Sequence, residues 1–150
     1  MSVETMTLST EEKKAHVLRI FEEIANGNNL DAAHEVYADD FLDHLPFPGA
    51  GRGPEGAKYS ITQMKTAFPD MHITVEDISA HEDYVVVHNT WRGTHRGKVL
   101  GVQPTGRKMT FGGPIIFRFE GRKIAERWAI GFDVSFLREL GLGLQWGRAN

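Results

Sequence analysis

The sequence of 150 residues contains no cysteine. Disulfide bonds, thiolate metal ligands and cysteine nucleophiles are therefore excluded together. Long apolar runs are also missing, and the N-terminal segment 1–14 is polar and acidic, so we expect neither a signal peptide nor a membrane-spanning helix. These features predict a cytoplasmic protein that has no membrane partner.

Basic residues are few and scattered. The sequence has 17 Lys and Arg residues and 20 Asp and Glu residues, which gives a net charge of −3. No basic stripe marks a phosphate-rich partner, so nucleic-acid binding is not expected. Metal-binding motifs are missing too, because Ala38 interrupts the H-E-x-x-H pattern that His34 and Glu35 would begin. We predict no bound metal.

The composition is that of an ordinary globular protein, with 41% hydrophobic and 25% charged residues. A chain of this length can bury one core. We therefore assign residues 1–150 to a single domain and expect loosely ordered tails at 1–9 and 143–150.

Helical patterns occupy the first half of the chain. Ser9 and Glu12 have the spacing of a capping box, and apolar residues then recur at helical spacing up to Asn26. Two further helices are predicted at Leu30–Tyr37 and from Pro54 to Phe68, with a short extended segment at Phe41–Leu45 between them.

The second half alternates with a period of two, which predicts four strands and a final helical turn at Phe136–Leu140. Glu120-Gly121 is the expected turn of the last hairpin. The strands are His72–Ile78, Tyr84–Thr94, Lys108–Phe119 and Arg122–Phe132. This order indicates a cone-shaped α+β fold, in which three N-terminal helices pack on a strongly curved antiparallel sheet and a short C-terminal helix follows. The strands present more apolar surface than the helices can cover, so we expect a cavity.

Short motifs in the right order resemble the SnoaL-like polyketide cyclases, a family of the nuclear-transport-factor-2-like superfold. They are DFxDH at Asp40–His44, AFPD at Ala67–Asp70, GTHxG at Gly93–Gly97, PTGR at Pro104–Arg107, KIxExW at Lys123–Trp128 and LG at Leu140-Gly141. The resemblance implies a homodimer or homotetramer with a hydrophobic pocket, and enzymes that need no cofactor. It also implies a range of reactions, from aldol cyclisation to isomerisation and epoxide opening.

One position departs from the family pattern. The cyclases that this sequence resembles carry an acidic residue directly after the position of Trp128, where this chain has Ala129. Their strand histidine corresponds to Ile115. Asp133 is the nearest downstream carboxylate, but it comes one residue later than the Asp that many of these relatives carry near the end of the strand, so without a bulge it would turn to the other face.

Four residues are candidates for catalysis. His44 precedes a proline turn and is predicted at the pocket rim as a proton shuttle, unless it only bonds a loop carbonyl. His95 either faces the cavity or bonds the glycine-rich connection after it. Arg127 shares strand parity with Ala129, so its guanidinium can stabilise a developing oxyanion or form a salt bridge. Asp133 is the remaining carboxylate.

Seven residues are predicted to line the pocket, although residues of these types at such spacing also form ordinary cores. They are Tyr59, Trp91, Met109, Phe111, Ile115, Phe117 and Ala129. The leading hypothesis is a cofactor-free cyclase or isomerase that acts on a small hydrophobic polyketide- or terpenoid-like substrate. The alternatives are an epoxide hydrolase or epoxide-opening cyclase, with Asp133 or Asp43 as base, and a non-catalytic small-molecule-binding protein.

Overall fold

A computed structural model of the protein describes residues 7–142. Helix α1 (Thr10–Arg19) begins with the predicted capping box, because the Ser9 hydroxyl accepts the Glu12 N–H at 3.1 Å and the Glu12 carboxylate accepts the Ser9 N–H at 2.9 Å. A π-helical segment, Ile20–Ala25, continues α1. Of the predicted loose tails, residues 1–6 and 143–150 lie outside the described residues. Residues 7–9 are described, and there Leu8 is buried and Ser9 caps the helix.

The second helix passes directly into the first strand. A 3-10 turn at Leu30–Ala32 leads into α2 (Ala33–Val36), and β1 (Tyr37–Asp43) follows without a loop. The prediction of a helix through Tyr37 is therefore corrected by one residue, and the extended segment is longer than predicted. Helix α3 (Gly53–Ala67) has Pro54 at its start and ends two residues before Pro69, whose ring cannot continue a helix.

Five more strands complete a curved sheet, so the α+β fold class is confirmed. They are β2 (His72–His81), β3 (Tyr84–Thr94), β4 (Lys108–Gly112), β5 (Ile115–Glu120) and β6 (Lys123–Ala129). The order is β1-β6-β5-β3-β2, and β4 also pairs with β3. The β1–β6 pair is parallel, whereas the prediction was an antiparallel sheet throughout.

The predicted strand Lys108–Phe119 is two strands, because the chain bends at Gly113. Strand β5 pairs with residues 84–87 of β3, and β4 pairs with residues 90–94. Gly113 has a φ of +152°, and a Cβ there would lie 2.5 Å from the Ile130 carbonyl oxygen. Only glycine fits this combination of backbone angle and close approach, and the bend curves the sheet around the core.

The end of the chain differs from the prediction in two places. Glu120 pairs with Lys123, so the hairpin turn consists of Gly121 and Arg122, one residue later than predicted. Strand β6 ends at Ala129 rather than at Phe132, and helix α4 (Phe132–Glu139) begins after Gly131, whose φ is +73°. The predicted final helical turn is thus a helix of two turns that starts earlier.

The two faces of the sheet differ in burial. On β3, Val85, Val87 and Trp91 are buried under the helices, which defines the inner face, whereas Tyr84 and His88 are exposed on the outer face. The core therefore lies between the inner face and the helices. No helix within residues 7–142 is long and apolar enough to cross a membrane.

Candidate active site

A cavity of about 310 Å³ lies between the inner face of the sheet and the helices. Its walls are mainly apolar side chains from every layer of the fold, among them Phe41, Ile61, Met64, Trp91, Ile115 and Phe136. Among the described residues, and apart from the Trp91 indole, whose N–H donates to Asn89 Oδ1 at 2.6 Å, five lining side chains carry a polar group: Tyr37, Asp43, Ser60, Arg127 and Asp133. A mostly apolar cavity with a few converging polar groups is typical of small-molecule sites.

Asp43 and Arg127 form an ion pair on the cavity wall. The two residues are direct partners in the parallel β1–β6 pair. Arg127 Nη1 donates to both Asp43 carboxylate oxygens, at 2.9 and 3.1 Å, and the Leu45 N–H donates to Oδ1 at 2.9 Å. Only 12% of the Asp43 side chain and 15% of the Arg127 side chain are exposed. The pair therefore holds two charges in a poorly solvated place, where each depends on the other.

Arg127 keeps hydrogen-bonding capacity for a ligand. A guanidinium has five N–H donors, and within the described part of the chain only those on Nη1 have a hydrogen-bond acceptor. The Nε and Nη2 donors are thus available at the edge of the cavity. A cation fixed by a neighbouring carboxylate in this way can stabilise negative charge that develops on a bound molecule.

Tyr37 supplies a hydroxyl to the same cavity. Its ring is 3% exposed and packs on Phe41, with 4.4 Å between the ring centroids. Its hydroxyl has no hydrogen-bond partner in residues 7–142. Burial raises the pKa of Tyr37 well above its ordinary value, although the nearby Arg127 acts in the opposite direction. Tyr37 is therefore a neutral hydrogen-bond donor at physiological pH.

Asp133 reaches the cavity from a helix and not from a strand. Because β6 ends at Ala129, strand parity no longer decides where Asp133 faces, and this residue lines the cavity from the first turn of α4. Its carboxylate forms no hydrogen bond or ion pair with other residues in the range 7–142. A carboxylate without a partner in an apolar cavity is a candidate proton acceptor.

His44 lies on the outer face, which corrects its predicted place at the pocket rim. His44 follows the last residue of β1, and its ring contacts Glu126 and Trp128, which flank Arg127 on β6 and so point away from the cavity that Arg127 lines. Its Nε2 is 2.8 Å from Glu126 Oε2, and its ring stacks on Trp128 at 4.9 Å between centroids. Its backbone N–H donates to the Arg127 carbonyl at 2.9 Å. The imidazole therefore stabilises the outer side of the same β1–β6 pair.

The contact between His44 and Glu126 on the outer face makes the stability of the fold depend on pH. Hydrogen bonds from His44 and Arg118 lower the pKa of Glu126 below its ordinary value of 4.5. A carboxyl with a lowered pKa stabilises the fold above its unfolded pKa, and this contribution is lost as the pH falls through the folded pKa. We expect Glu126→Gln to lower the Tm at pH 7 and to change it progressively less below about pH 4, as measured by thermal unfolding. A constant difference across that range would contradict this assignment.

His95 is fully buried but does not line the cavity. Its Nδ1 lies 3.2 Å from the Thr105 hydroxyl, and its backbone N–H and carbonyl bond Arg107 and Gly106. Its Nε2 has no hydrogen-bond partner in the described part of the chain. This geometry fits the alternative in which His95 secures the connection between β3 and β4.

The structure places two of the seven predicted wall residues, Trp91 and Ile115, on the cavity. Met109, Phe111 and Phe117 are buried in the adjoining aromatic core, Ala129 packs against that core, and Tyr59 is 40% exposed beside Phe47. These five are corrected as lining residues, because the four strand residues belong to the core that the helices cover and Tyr59 lies on the exposed side of α3. Arg127 and Asp133 do line the cavity.

Sequence reasoning named neither Tyr37 nor Asp43 as a principal site residue. Asp43 follows Phe41 by two strand positions, and this spacing alone puts its carboxylate on the buried side of β1. Tyr37 gave no comparable signal, because it also fits the helical spacing of Leu30 and Ala33. Residues 7–142 contain no group of three or more His, Asp or Glu residues that could hold a metal ion.

The family model for the SnoaL-like polyketide cyclases matches residues 15–140. The chain belongs to this family. In this SnoaL-like protein Ala129 does not line the cavity, and the carboxylates that do line it come from β1 and α4. Among curated proteins, none matches the sequence.

Solved structures show the same fold. IdmH of Streptomyces antibioticus, described as a putative polyketide cyclase, is 31% identical, with a TM-score of 0.71 over 86% of this chain and 98% of that one. AclR of Streptomyces galilaeus, a putative hydroxylase, is 27% identical, with a TM-score of 0.71 over 89% of this chain and 87% of AclR. TsrD of Streptomyces laurentii is 21% identical, with a TM-score of 0.80 over 90% of this chain and 98% of TsrD.

Proposed function

We propose that this SnoaL-like protein is a cyclase or isomerase that transfers a proton next to a carbonyl group of a small hydrophobic, polyketide- or terpenoid-like molecule. One observation carries the proposal: an apolar cavity holds the unpartnered carboxylate of Asp133 together with free donors of Arg127 and Tyr37. A base and oxyanion-stabilising donors in one water-poor space are what carbonyl enolisation needs.

Each group has a role in the proposed reaction. Asp133 accepts the proton from the carbon next to the carbonyl, and the electron pair moves onto the carbonyl oxygen. The Arg127 guanidinium and the Tyr37 hydroxyl donate hydrogen bonds to that oxygen while it is negatively charged. In a cyclisation the enolate carbon attacks a second carbonyl of the same molecule, and the protonated Asp133 gives its proton to the alkoxide that forms. In an isomerisation Asp133 returns the proton to another carbon.

Asp43 acts through Arg127. Its carboxylate fixes Nη1, so the remaining N–H donors point from a held guanidinium rather than from a mobile side chain. Preorganised donors stabilise a developing charge without rearranging during the reaction. The apolar walls fold the substrate so that its reacting atoms meet, which itself lowers the barrier. The proposed chemistry uses only side chains of the chain itself.

Proton exchange tests the proposal without knowledge of the natural substrate. We expect the protein to accelerate exchange of the α-protons of 2-tetralone, a bicyclic ketone, for deuterium in D₂O, as followed by NMR. Asp133→Asn should lower the catalysed rate about hundredfold or more, because the proton acceptor is lost.

Asp31→Asn is the matched control for this experiment. It makes the same chemical change at a surface carboxylate whose side chain is 92% exposed, and it should leave the exchange rate unchanged. Equal rates for Asp133→Asn and the parent protein would contradict the proposed role of Asp133.

Epoxide opening is a second candidate, because an unpartnered Asp133 could equally deprotonate a water molecule or a substrate hydroxyl. Reaction of a terpene epoxide that also carries a free hydroxyl group, in ¹⁸O-labelled water, distinguishes the two routes. Labelled diol indicates hydrolysis, whereas an unlabelled cyclic ether indicates attack by an internal hydroxyl. The absence of either product leaves proton transfer as the better candidate.

Two further predictions concern the setting of this site. A cytoplasmic homodimer or homotetramer remains a prediction, for which the partly exposed Trp128 and the 53% exposed Ile130 offer apolar surface outside the cavity. A non-catalytic binding protein remains the alternative, and it would bind 2-tetralone without accelerating its proton exchange.

A further inference from the structure

Leu100 occupies a turn whose backbone does not suit leucine. Val99 and Val102 form a two-residue hairpin, in which the Val99 N–H donates to the Val102 carbonyl at 3.1 Å and the Val102 N–H donates back at 2.8 Å. The central residues Leu100 and Gly101 have φ values of +47° and +81°. Positive φ at both positions is typical of a type I′ turn, which favours Asn-Gly, and a bulky residue there is strained.

Hydrogen bonds and a buried side chain fix the connection between β3 and β4 that contains this turn. The turn itself therefore does not determine where the connection lies. The Val99 side chain is 4% exposed. The Arg96 N–H donates to the Ala67 carbonyl at 2.9 Å, and the Gly106 N–H donates to the His95 carbonyl at 2.9 Å. A strained residue persists where its surroundings determine its conformation, and such residues cluster at ligand-binding sites.

The Leu100 side chain is at once exposed and part of the cavity. It is 38% exposed, which is unfavourable for a large apolar group, and it lines the cavity beside apolar walls. Neither the strained backbone nor the exposed apolar side chain of this residue stabilises the fold. Both features are explained if the side chain contacts a bound molecule. A ligand that covers Leu100 would remove its exposed area from water.

We propose that Leu100 is a specificity-determining residue, which covers an apolar part of the bound molecule at the mouth of the cavity. The turn keeps leucine there for binding at the expense of stability. This inference rests on the proposed function only in taking the cavity as the substrate site. The selected ligand is a molecule with a hydrophobic ring or chain at the end that remains nearest to solvent.

The substitution Leu100→Asn separates the two effects, because they change in opposite directions. Asn-Gly suits the turn, so we expect the Tm to rise by about 2–4 °C. Loss of the apolar side chain should weaken binding of N-phenyl-1-naphthylamine, a neutral aromatic fluorescent probe, about tenfold. Thermal unfolding and fluorescence titration measure the two quantities.

Two control variants complete the experiment. Leu100→Met keeps an apolar side chain on the same backbone, so the probe affinity should stay within about twofold and the Tm should not rise. Glu82 has a φ of +54° in the turn between β2 and β3, where the flanking residues His81 and Tyr84 pair. Glu82→Asn should therefore raise the Tm in the same way but leave probe affinity unchanged, because Glu82 does not line the cavity.

Three results would overturn the inference. Equal probe affinity of Leu100→Asn and the parent protein would mean that Leu100 does not contact the ligand. An unchanged or lower Tm for Leu100→Asn would mean that leucine has no cost in this turn. Failure of the parent protein to bind the probe would remove the cavity as an apolar site. The probe has no enolisable carbonyl, so failure of the proposed reaction would leave all of these binding results unchanged.

Discussion

Replacing Arg127 by methionine should lower the free energy of unfolding by about 3 kcal/mol. The substitution keeps most of the apolar volume of the side chain but leaves the Asp43 carboxylate poorly solvated and without its cation. Breaking a buried pair from one side is costly because the remaining charge stays uncompensated. Urea unfolding, followed by circular dichroism, measures the change.

The double variant Arg127→Met with Asp43→Asn shows whether charge is the cause. Asparagine is neutral and can still accept the Leu45 N–H, so the double variant should regain most of the lost stability. Lys14→Met is the matched surface control, because Lys14 pairs with a Glu11 side chain that is 80% exposed, and it should change stability little. An Arg127→Met protein as stable as the parent would show that the pair is not needed for the fold.

Tyr37→Phe should have opposite effects on catalysis and stability. The hydroxyl has no hydrogen-bond partner in the described residues, so phenylalanine removes no internal hydrogen bond and should keep the Tm unchanged or raise it slightly. The rate of 2-tetralone proton exchange should nevertheless fall about hundredfold, as is typical when one donor to a developing oxyanion is removed. The same NMR assay and a thermal unfolding curve provide both measurements.

Tyr84→Phe is the control for this prediction. It removes the same hydroxyl from a tyrosine that is 43% exposed on the outer face of the sheet, and it should leave the exchange rate unchanged. If Tyr37→Phe also kept the parent rate, the phenol would not contact the reacting oxygen. A large loss of stability would instead indicate that the hydroxyl supports the fold.

The regular elements could be predicted because their signals are local. The bounds of β3 follow from its run of β-branched and aromatic residues, and the start of α1 follows from the capping box at Ser9. The bend at Gly113 could not be predicted, because its cause is the approach of Ile130, which is distant in sequence. Apolar and polar residues alternate after Pro114 in the same way whether the strand continues straight or bends.

The candidate site was predicted less well than the fold, and strand parity explains why. Parity predicts the inward facing of Arg127, which lines the cavity, because the rule holds within β6. The facing of Asp133 could not be predicted from the sequence. The chain changes from strand to helix after Ala129, so strand parity no longer applies there. Side-chain chemistry favours His44 over Asp43, whereas the spacing from Phe41 favours Asp43. Side-chain chemistry names candidates, but the facing of each strand position decides which of them meet.

The parallel pairing of β1 with β6 has a consequence for the order of folding. Asp43 and Arg127 are 84 positions apart, so their contact closes most of the chain into a loop. Closing a loop of this length costs chain entropy, and folds that depend on such long-range contacts fold slowly. Partly folded chains that have assembled only the local β2–β3 and β5–β6 hairpins therefore lack the charge pair. The ion pair of Asp43 and Arg127 on the cavity wall therefore exists only in molecules in which β1 has paired with β6.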